Sequence, residues 1–212
     1  MKNDIEVYRN KLIVFEGGDQ SGKTSVGKLF NKYLNDNGIE SVFTYQPGDT
    51  EYGTHAVLMR SLCKDKRFEL HPLANFFAFQ LDRVEQTSKV IQPALNEGKT
   101  VISDRWNYST YAYQLYGQEL LKTTNMPIDV AEWLLTTATV CREPEIVFYF
   151  PHKINVVRDD DPNDNFDGKE STFFNRVHEA YESLAKRYNW IRVLPGNSAE
   201  DTLLKMLEIK IT

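Results

Sequence analysis

The sequence comprises 212 residues, of which 41 % are hydrophobic and 26 % are charged. A chain of this size folds as one large domain, or at most two small ones, and needs no disulfide or metal to hold its core together. Its net charge of −5 argues against a DNA- or RNA-binding protein, because nucleic acids attract basic surfaces.

No apolar run approaches the roughly 20 residues that span a bilayer, and residues 1–6 lack the apolar core of a signal peptide, so we expect a cytoplasmic protein. Cys63 and Cys141 show no metal-site spacing, and we expect both to be buried and reduced.

Short β-type runs alternate with longer helical ones, which is typical of a parallel sheet flanked by helices. In chain order, the pattern predicts a strand over residues 11–16, a helix over 24–35, a strand over 40–46 and a turn over 47–50. A long helix is predicted from Pro72 to Gly98, with Pro93 ending or bending its last turn. Its apolar residues recur at three- and four-residue steps and predict a core-facing stripe of Leu73, Phe77, Leu81, Val84, Ile91 and Leu95.

The second half of the chain continues the alternation. Strands are predicted over 100–104, 145–150 and 191–194, with Asp129 capping a helix through Leu134 and a terminal helix starting near residue 200. Residues 158–169 contain five Asp, one Pro and one Gly, and we interpret them as a mobile loop. Ser171 is expected to cap a helix that carries Phe174, Val177, Tyr181, Leu184 and Tyr188. The prediction is one α/β domain over residues 1–212, built on a five-stranded parallel sheet.

The strongest chemical signal is the sequence Gly-Gly-Asp-Gln-Ser-Gly-Lys-Thr at residues 17–24, which matches the P-loop pattern G-x-x-x-x-G-K-[ST]. Such a loop lets backbone N–H groups surround phosphate oxygens at the start of a helix. Lys23 is expected to bridge the β- and γ-phosphates of ATP, and Thr24 to place its hydroxyl on Mg²⁺. The predicted ATP-binding residues are Gly17, Gly18, Gln20, Ser21, Gly22, Lys23 and Thr24. A glycine-rich turn without a ligand is the alternative.

Two further patterns suit a nucleotide. Asp104 and Arg105 follow a buried strand directly, where Asp104 can reach a Mg²⁺ shell and Arg105 can grip a phosphate. Phe79 and Arg83 are four residues apart and share a helix face, which suits stacking on a base and donation to its carbonyl oxygens. A surface ion pair is the alternative for the first pattern. A helix interface with a solvated edge is the alternative for the second, and it is favoured when that pattern is taken alone.

Four segments together resemble the thymidylate kinase family, a group of P-loop nucleoside monophosphate kinases. They are residues 15–24, 46–53, 79–83 with 90–95, and 101–106 with Ser109 and 112–114. The resemblance covers nearly the whole chain. It implies a five-stranded parallel sheet flanked by helices with a mobile lid, here about residues 158–170, and a protein that is usually a homodimer. It also implies transfer of the γ-phosphoryl group of ATP to dTMP, with Mg²⁺ as cofactor.

The resemblance also implies roles for individual residues of the acceptor site. Phe79 matches the ring that stacks on thymine and Arg83 the donor to a thymine carbonyl, while Thr110 falls where a residue faces N3 of the base. Asp19 matches a carboxylate near the deoxyribose 3′-hydroxyl, and Tyr113 an aromatic residue near C2′ that disfavours ribose. Arg105 matches the clamp on the acceptor phosphate, with Asp104 beside Mg²⁺. The predicted substrate-binding residues are Asp19, Pro47, Phe79, Arg83, Arg105, Thr110, Tyr113 and Gln114.

The chain departs from the family pattern at its cations. Tyr45-Gln46 stands where many bacterial members have Arg-Glu, so one cation near the acceptor phosphate is expected to be missing. The family places a catalytic Arg in the P-loop or the lid, but here those positions hold Gln20 and the pair Asp164-Asn165. Arg158 is then our candidate for the cation on the γ-phosphate, with a solvated surface charge as the alternative. The predicted catalytic residues are Lys23, Asp104, Arg105 and Arg158.

The sequence therefore predicts an ATP- and Mg²⁺-dependent dTMP kinase that needs no nucleic acid or membrane. Two alternatives remain open. The acceptor can be another deoxynucleoside monophosphate, including one with a modified base, or a nucleoside. The two missing Arg positions also fit a nucleotide-binding regulatory protein with impaired catalysis.

Overall fold

The computed structural model describes residues 5–49, 54–68, 70–140, 142–151 and 171–211. Its centre is a five-stranded sheet in which every neighbouring pair is parallel, with the order β2-β3-β1-β4-β5. The strands are β1 (Leu12–Gly17), β2 (Ser41–Tyr45), β3 (Thr100–Asp104), β4 (Ile146–Phe150) and β5 (Ile191–Arg192). The predicted fold class, a five-stranded parallel sheet flanked by helices, is confirmed.

Helices cover both faces of this sheet. Those that precede β3 are α1 (Lys23–Asp36), α2 (Thr54–Lys64), α3 (Pro72–Gln86) and α4 (Gln92–Asn96). Those that follow it are α5 (Asn107–Thr110), α6 (Leu120–Thr124), α7 (Ile128–Ala138), α8 (Ser171–Arg187) and α9 (Ala199–Leu207). A 3-10 turn spans Ile5–Tyr8, and π-helical turns span Thr87–Ile91 and Tyr111–Gly117. No helix within the described ranges has the length and apolar character that crossing a membrane requires.

The central strands are buried along their whole length because a parallel sheet with helices on both faces exposes neither surface to water. Every residue of β1, β3 and β4 is buried. One apolar cluster joins Ile13 and Phe15 of β1 to Phe30 of α1, and a second joins Leu12 and Val14 to residues of α4 and β3. β1 therefore lies at the centre of the core, and its carboxyl end is held rigidly where the P-loop begins.

The long helix predicted from residue 72 is divided in three. α3 ends at Gln86, a π-helical turn follows, and α4 contains Pro93, whose missing N–H cannot bond to the preceding turn. The core-facing stripe is wrong for Phe77, Leu81 and Val84, which are 48 %, 49 % and 37 % exposed. Periodicity detects an apolar face but does not tell what covers it. The face of α3 that is buried is largely polar and carries Asn75, Phe76, Ala78, Phe79, Gln80, Asp82, Arg83 and Gln86.

Smaller differences concern element ends. Pro127 occupies the N-cap position expected for Asp129, which lies in the first turn of α7. Ser171 is the first residue of α8 that the structure describes, so its capping role stays a prediction, while Tyr188 lies beyond the end of α8 and is about half exposed. Cys63 is a buried free thiol whose pKa is raised by burial, whereas Cys141 lies outside the described residues. The predicted mobile loop, residues 158–169, also lies outside them.

Candidate active site

A cleft of about 450 Å³ opens at the carboxyl ends of β1, β2 and β3. This is the edge at which open parallel sheets bind ligands, and the volume is in the range of small-molecule sites. Eleven of the residues predicted for ATP, metal or substrate line this cleft, namely Asp19, Gln20, Lys23, Thr24, Pro47, Phe79, Asp104, Arg105, Thr110, Tyr113 and Gln114. Arg83 and the P-loop residues Gly17, Gly18, Ser21 and Gly22 are not among the lining residues. Arg158 lies outside the described residues.

The loop between β1 and α1 depends on two glycines. A Cβ atom on Gly17 would lie 2.2 Å from the carbonyl oxygen of Phe150 on the neighbouring strand, so only glycine fits there. Gly22 has a φ of 87°, a left-handed conformation that glycine adopts at low cost, and α1 begins at the next residue. The loop therefore ends in the free N–H groups of a helix N-terminus, which is a favourable place for phosphate.

Lys23, the first residue of α1, is buried beneath this loop. Its ammonium group donates to the carbonyl oxygen of Gly18 at 2.9 Å. Burial and the nearby charge of Arg105 lower the pKa of Lys23, while the carboxylates of Asp104, Asp19 and Glu16 act in the opposite direction. Among the described residues this cation donates a hydrogen bond to a carbonyl oxygen and forms no ion pair with a carboxylate, so it is fixed in position and remains available to a phosphate group.

Thr24 and Asp104 bring two oxygen ligands together across the sheet edge. The Thr24 hydroxyl donates to Asp104 Oδ2. Asp104 Oδ1 is buried and has no hydrogen-bond partner within the part of the chain that the structure describes. An orphaned carboxylate oxygen next to a threonine hydroxyl is the kind of donor pair that a hard divalent cation prefers.

Arg105 lies at the end of β3 with a φ of 78°, in the left-handed region that non-glycine residues rarely adopt. Its guanidinium forms an ion pair with Asp19 and donates to the Gly17 carbonyl oxygen at 3.2 Å. It also lies over the ring of Tyr113, whose hydroxyl donates to Asp19 Oδ2 at 2.6 Å. Burial alone would raise the pKa of Asp19, but Arg105 and Lys23 hold it below its ordinary value. Arg105 and Asp19 therefore both stay ionised, and the guanidinium of Arg105 provides a positive charge at the cleft.

A buried carboxylate, Glu16, organises the turn behind Arg105. Glu16 accepts hydrogen bonds from the backbone N–H of Trp106 at 2.7 Å, from the Ser109 hydroxyl at 2.7 Å and from the Tyr181 hydroxyl at 3.1 Å. Burial raises its pKa, while the charge of Arg105 acts against this rise. Sequence reasoning missed Glu16 and Tyr181 in this role. The available signal was an acidic residue at a fully buried strand position.

Arg83 on α3 lies behind the wall of the cleft and is 1 % exposed. Its guanidinium donates to Gln46 Oε1 at 2.9 Å, Gln80 Oε1 at 2.8 Å, Thr110 Oγ1 at 3.1 Å and the Trp106 carbonyl oxygen at 3.0 Å. Burial lowers the pKa of Arg83 to about 10, which leaves it charged at neutral pH. Arg83 thereby ties α3 to β2 and α5 and fixes side chains that do face the cleft.

The segment after β2 is held by side chains that the sequence did not identify. Asp82 accepts from the Gly48 backbone N–H at 2.8 Å, and Gln86 Nε2 donates to the Tyr45 carbonyl oxygen at 2.7 Å. Arg60 of α2 donates to the carbonyl oxygen of Pro47 at 3.1 Å, and the Gln46–Pro47 peptide is cis. Burial raises the pKa of Asp82 to about 6, although Arg83 acts against this. Together these contacts hold Pro47 at the cleft.

α2 also supplies positive charge. The helix was not predicted, yet Arg60 and Lys64 line the cleft. Lys64 lies near enough to help lower the pKa of Asp19. The cation expected to be missing because Tyr45-Gln46 replaces Arg-Glu therefore has two counterparts on the facing helix.

Comparison with known proteins gives one consistent family. The sequence model of the family described as Thymidylate kinase matches residues 15–206. The thymidylate kinase of Nitrosomonas eutropha is 32 % identical over 209 residues, covering 96 % of this chain and 93 % of the relative. That of Neorickettsia sennetsu is 32 % identical over 208 residues, with 95 % and 96 % covered. The crystal structure of thymidylate kinase from Ehrlichia chaffeensis superposes with a TM-score of 0.71 at 26 % identity, covering 94 % of this chain and 97 % of that one.

Proposed function

We propose a division of roles within the cleft of this chain, which belongs to the thymidylate kinase family and transfers the γ-phosphoryl group of ATP to dTMP. One observation carries the division: Lys23 on the P-loop and Arg105 at the end of β3 line the same cleft, with Thr24 and Asp104 also lining it. Phosphoryl transfer requires positioning of two phosphates and neutralisation of their charge. We place the reaction in the cytoplasm, because both substrates are charged nucleotides that do not cross membranes unaided.

The ATP phosphates bind at the N-terminus of α1. The backbone N–H groups at the start of the helix surround the phosphate oxygens, and Lys23 neutralises the β- and γ-phosphates. Ser21 supports this role, because its hydroxyl is buried and without a partner among the described residues. Gln20 occupies the P-loop position where some family members carry an Arg, so the loop itself adds no second cation.

Thr24 and Asp104 would hold Mg²⁺. The orphaned Oδ1 atom of Asp104 and the adjacent threonine hydroxyl fit a hard cation, which prefers oxygen ligands. When bound, Mg²⁺ shields the negative charge of the ATP phosphates during transfer. Asp104 and Thr24 are tied to each other and to rigid elements, so they orient the site before the nucleotide arrives.

The acceptor phosphate of dTMP binds to Arg105, while Asp19 and Tyr113 face its deoxyribose. Arg105 is held from behind by Ser109 at 3.1 Å and Tyr181 at 3.2 Å, so its free edge points to the cleft. A guanidinium can bind two phosphate oxygens at once and so fixes the direction of the acceptor oxygen. Arg158 is our candidate for the further cation on the γ-phosphate, supplied by the lid.

An acceptor panel tests the reaction. Purified protein with ATP and Mg²⁺ is incubated with dTMP, dUMP, 5-hydroxymethyl-dUMP, dGMP and thymidine, and product formation is followed by chromatography. We expect dTMP to give the highest kcat/KM and EDTA to abolish transfer. A higher kcat/KM for another acceptor would overturn dTMP as the substrate. Binding of ATP and dTMP without any dTDP would favour the regulatory alternative.

Phe79 supplies the stacking surface for the base. Its ring is buried at the cleft wall, and a base stacked on an aromatic ring gains about 1–3 kcal/mol. Phe79→Ala is therefore expected to raise the KM for dTMP about 10- to 100-fold with a much smaller change in kcat. Steady-state kinetics at saturating ATP measure this. A fall in kcat with unchanged KM would contradict the stacking role.

We propose that the protein is a homodimer joined through α2 and α3. These two helices expose a set of apolar side chains, defined here as the α2–α3 patch: Val57, Leu58, Phe77, Leu81 and Val84. Contiguous exposed apolar patches of this kind mark interaction surfaces. α3 also carries Phe79, which lines the cleft, and Asp82, which holds the Gly48 backbone beside it, so a second copy against its outer face would stabilise the acceptor site.

Leu81→Glu tests the dimer. We expect the wild-type protein to have twice the chain mass of 24.6 kDa at micromolar concentration by light scattering, and Leu81→Glu to be monomeric, because a charge buried in an apolar interface is costly. Leu204→Glu is the matched control, since Leu204 is 63 % exposed on α9, away from the α2–α3 patch. A monomeric wild type, or a dimeric Leu81→Glu variant, would contradict this interface.

A further inference from the structure

The hydroxyl group of Tyr181 lies between two opposite charges. Tyr181 belongs to α8 and is 1 % exposed. Its hydroxyl donates to Glu16 Oε2 at 3.1 Å and accepts from Arg105 Nη1 at 3.2 Å. Among the described residues Arg105 forms its ion pair with Asp19 and not with Glu16. The Tyr181 hydroxyl therefore bridges a buried carboxylate and the arginine that lines the cleft.

Ser109 adds a second hydroxyl to the same bridge. Its Oγ atom lies 2.7 Å from the Tyr181 hydroxyl oxygen and donates to Glu16 Oε2 at 2.7 Å. It also accepts from Arg105 Nη1 at 3.1 Å. Ser109 follows Arg105 by only four residues, whereas Tyr181 comes from a helix 76 positions further along the chain. Tyr181 thereby connects the turn after β3 to a separate part of the fold.

These contacts determine which donors of the Arg105 guanidinium are left for a ligand. Nη1 donates to the oxygen atoms of Gly17, Ser109 and Tyr181, so both of its N–H groups are used. One N–H of Nη2 donates to Asp19. A guanidinium carries five N–H groups, and within the described ranges the two that remain belong to Nε and Nη2. Donors on neighbouring guanidinium nitrogens can bind two phosphate oxygens at once.

The ring of Tyr181 would pack equally well without its hydroxyl. Tyr149 stacks on it at a centroid distance of 6.1 Å, and Tyr113 meets it edge to face at 6.3 Å. Burying a hydroxyl is destabilising unless the group is hydrogen-bonded. Burial and the charge of Glu16 raise the pKa of Tyr181, so the hydroxyl stays protonated and donates to Glu16 while it accepts from Arg105. The polar group therefore serves the bridge and not the packing.

We propose that Tyr181 is a positioning residue for phosphoryl transfer, whose hydroxyl holds Arg105 Nη1 in place so that Nε and Nη2 meet the acceptor phosphate. This inference rests on the proposed function, in which Arg105 binds the phosphate of dTMP. Without the hydroxyl, Nη1 loses one of its three acceptors and the guanidinium is less firmly oriented. A small misplacement of a group that positions a substrate lowers the rate substantially. The loss should be confined to ligands that carry the phosphate.

Tyr181→Phe tests this role because it keeps the ring and removes the hydroxyl. We expect kcat/KM for dTMP to fall about 10-fold, with both KM and kcat affected. Thymidine lacks the phosphate, so its inhibition constant against dTMP phosphorylation should stay within about twofold of the wild-type value. A merely structural role would weaken dTMP and thymidine equally. That result, or an unchanged kcat/KM for dTMP, would overturn the proposal.

Tyr149→Phe is the matched control. Tyr149 is 1 % exposed and stacks on Tyr181, but its hydroxyl donates to Glu182 Oε1 at 2.9 Å, and among the described residues it makes no hydrogen bond to Arg105. The variant removes the same atom from the neighbouring ring, so kcat/KM for dTMP should stay within about twofold of wild type. A loss equal to that of Tyr181→Phe would show that any change in these rings disturbs the cleft, and the specific role of the Tyr181 hydroxyl would be wrong.

A second variant tests the bridge even if Tyr181→Phe does not fold. Ser109→Ala removes the other hydroxyl, and it should also lower kcat/KM for dTMP while the thymidine inhibition constant stays within about twofold of wild type. Both hydroxyls act on Nη1 of Arg105, so the double variant should lose less than the product of the two single losses. Wild-type kcat/KM for dTMP in Ser109→Ala, or losses that multiply in the double variant, would rule out the bridge.

Failure of the proposed function gives a different result. A wild-type protein that does not phosphorylate dTMP would overturn that function. Wild-type turnover in Arg105→Ala would remove the phosphate contact on which the positioning role depends. An active wild type and an inactive Arg105→Ala, with no effect of Tyr181→Phe, would overturn the role of Tyr181 alone.

Discussion

Arg105→Ala is expected to lower kcat for dTMP phosphorylation by about 10³-fold or more, in line with the loss of a guanidinium that stabilises phosphoryl transfer. The guanidinium contacts Asp19, Gly17, Ser109 and Tyr181, so the alanine variant loses this whole set of contacts at once. Loss of its charge also leaves Asp19 without its main counter-ion, and the pKa of Asp19 should rise. The acceptor phosphate would then face an uncompensated carboxylate.

Two further substitutions of Arg105 test separately the shape of its guanidinium and the strain in its backbone. Arg105→Lys keeps the positive charge but cannot bind two phosphate oxygens in parallel, so an intermediate loss of about 10- to 100-fold is expected. Arg105→Gly removes the same guanidinium as the alanine variant but relaxes the left-handed φ of 78°. The free energy of unfolding of Arg105→Gly should therefore exceed that of Arg105→Ala by about 1–2 kcal/mol. The glycine variant should accordingly unfold at the higher temperature.

Steady-state kinetics and thermal unfolding on the same protein samples measure these effects. Arg9→Ala is a suitable control, because Arg9 forms an exposed ion pair with Glu6 at 2.6 Å near the chain start, remote from the cleft. Turnover of Arg105→Ala at the wild-type rate would remove Arg105 from the acceptor site. Equal stability of the alanine and glycine variants would show that the backbone carries no strain.

The fold could be predicted because its strongest signals are local. β1 begins with the apolar run Leu12–Phe15 and ends at a glycine pair, β3 is a short segment that ends at the Asp104-Arg105 pair, and both were located to within one residue. The predicted core-facing stripe of α3 is wrong because, next to the candidate site, the helix buries polar side chains and exposes apolar ones. Asp82 and Arg83 are buried around the acceptor site, while Phe77 and Leu81 are exposed. Tertiary context decides which side of such a helix faces the protein.

The residues of the candidate site also fall into two groups, those that a local sequence pattern predicts and those that depend on distant partners. Residues with a fixed spacing, such as Lys23 and Thr24, could be predicted because the chemistry of phosphate binding needs them in that order. Gln46, Glu16 and Tyr181 could not be assigned a role, because their roles depend on partners 37 to 165 positions away in the chain. A buried glutamine or glutamate becomes informative only when its hydrogen-bond partners can be counted.

Lys23→Met is the prediction that separates catalysis from folding most sharply. Methionine retains most of the length of the lysine stem and removes the charge, so transfer should fall by about 10³-fold while the P-loop backbone is preserved. Burial lowers the pKa of Lys23, which means that the folded protein holds this ammonium at a cost. A nonpolar side chain of similar volume carries no such cost, so the variant should unfold at an equal or higher temperature.

The measurement is kcat at saturating ATP and dTMP, together with a thermal unfolding curve. Lys32→Met is the matched control on the same helix, since Lys32 forms an exposed ion pair with Asp36 at 2.6 Å and should change neither quantity much. A Lys23→Met protein that is inactive because it is unfolded would contradict the prediction, and so would one that keeps wild-type kcat. The expected result, a stable protein without transfer, identifies Lys23 as a residue whose burial serves the reaction and not the fold.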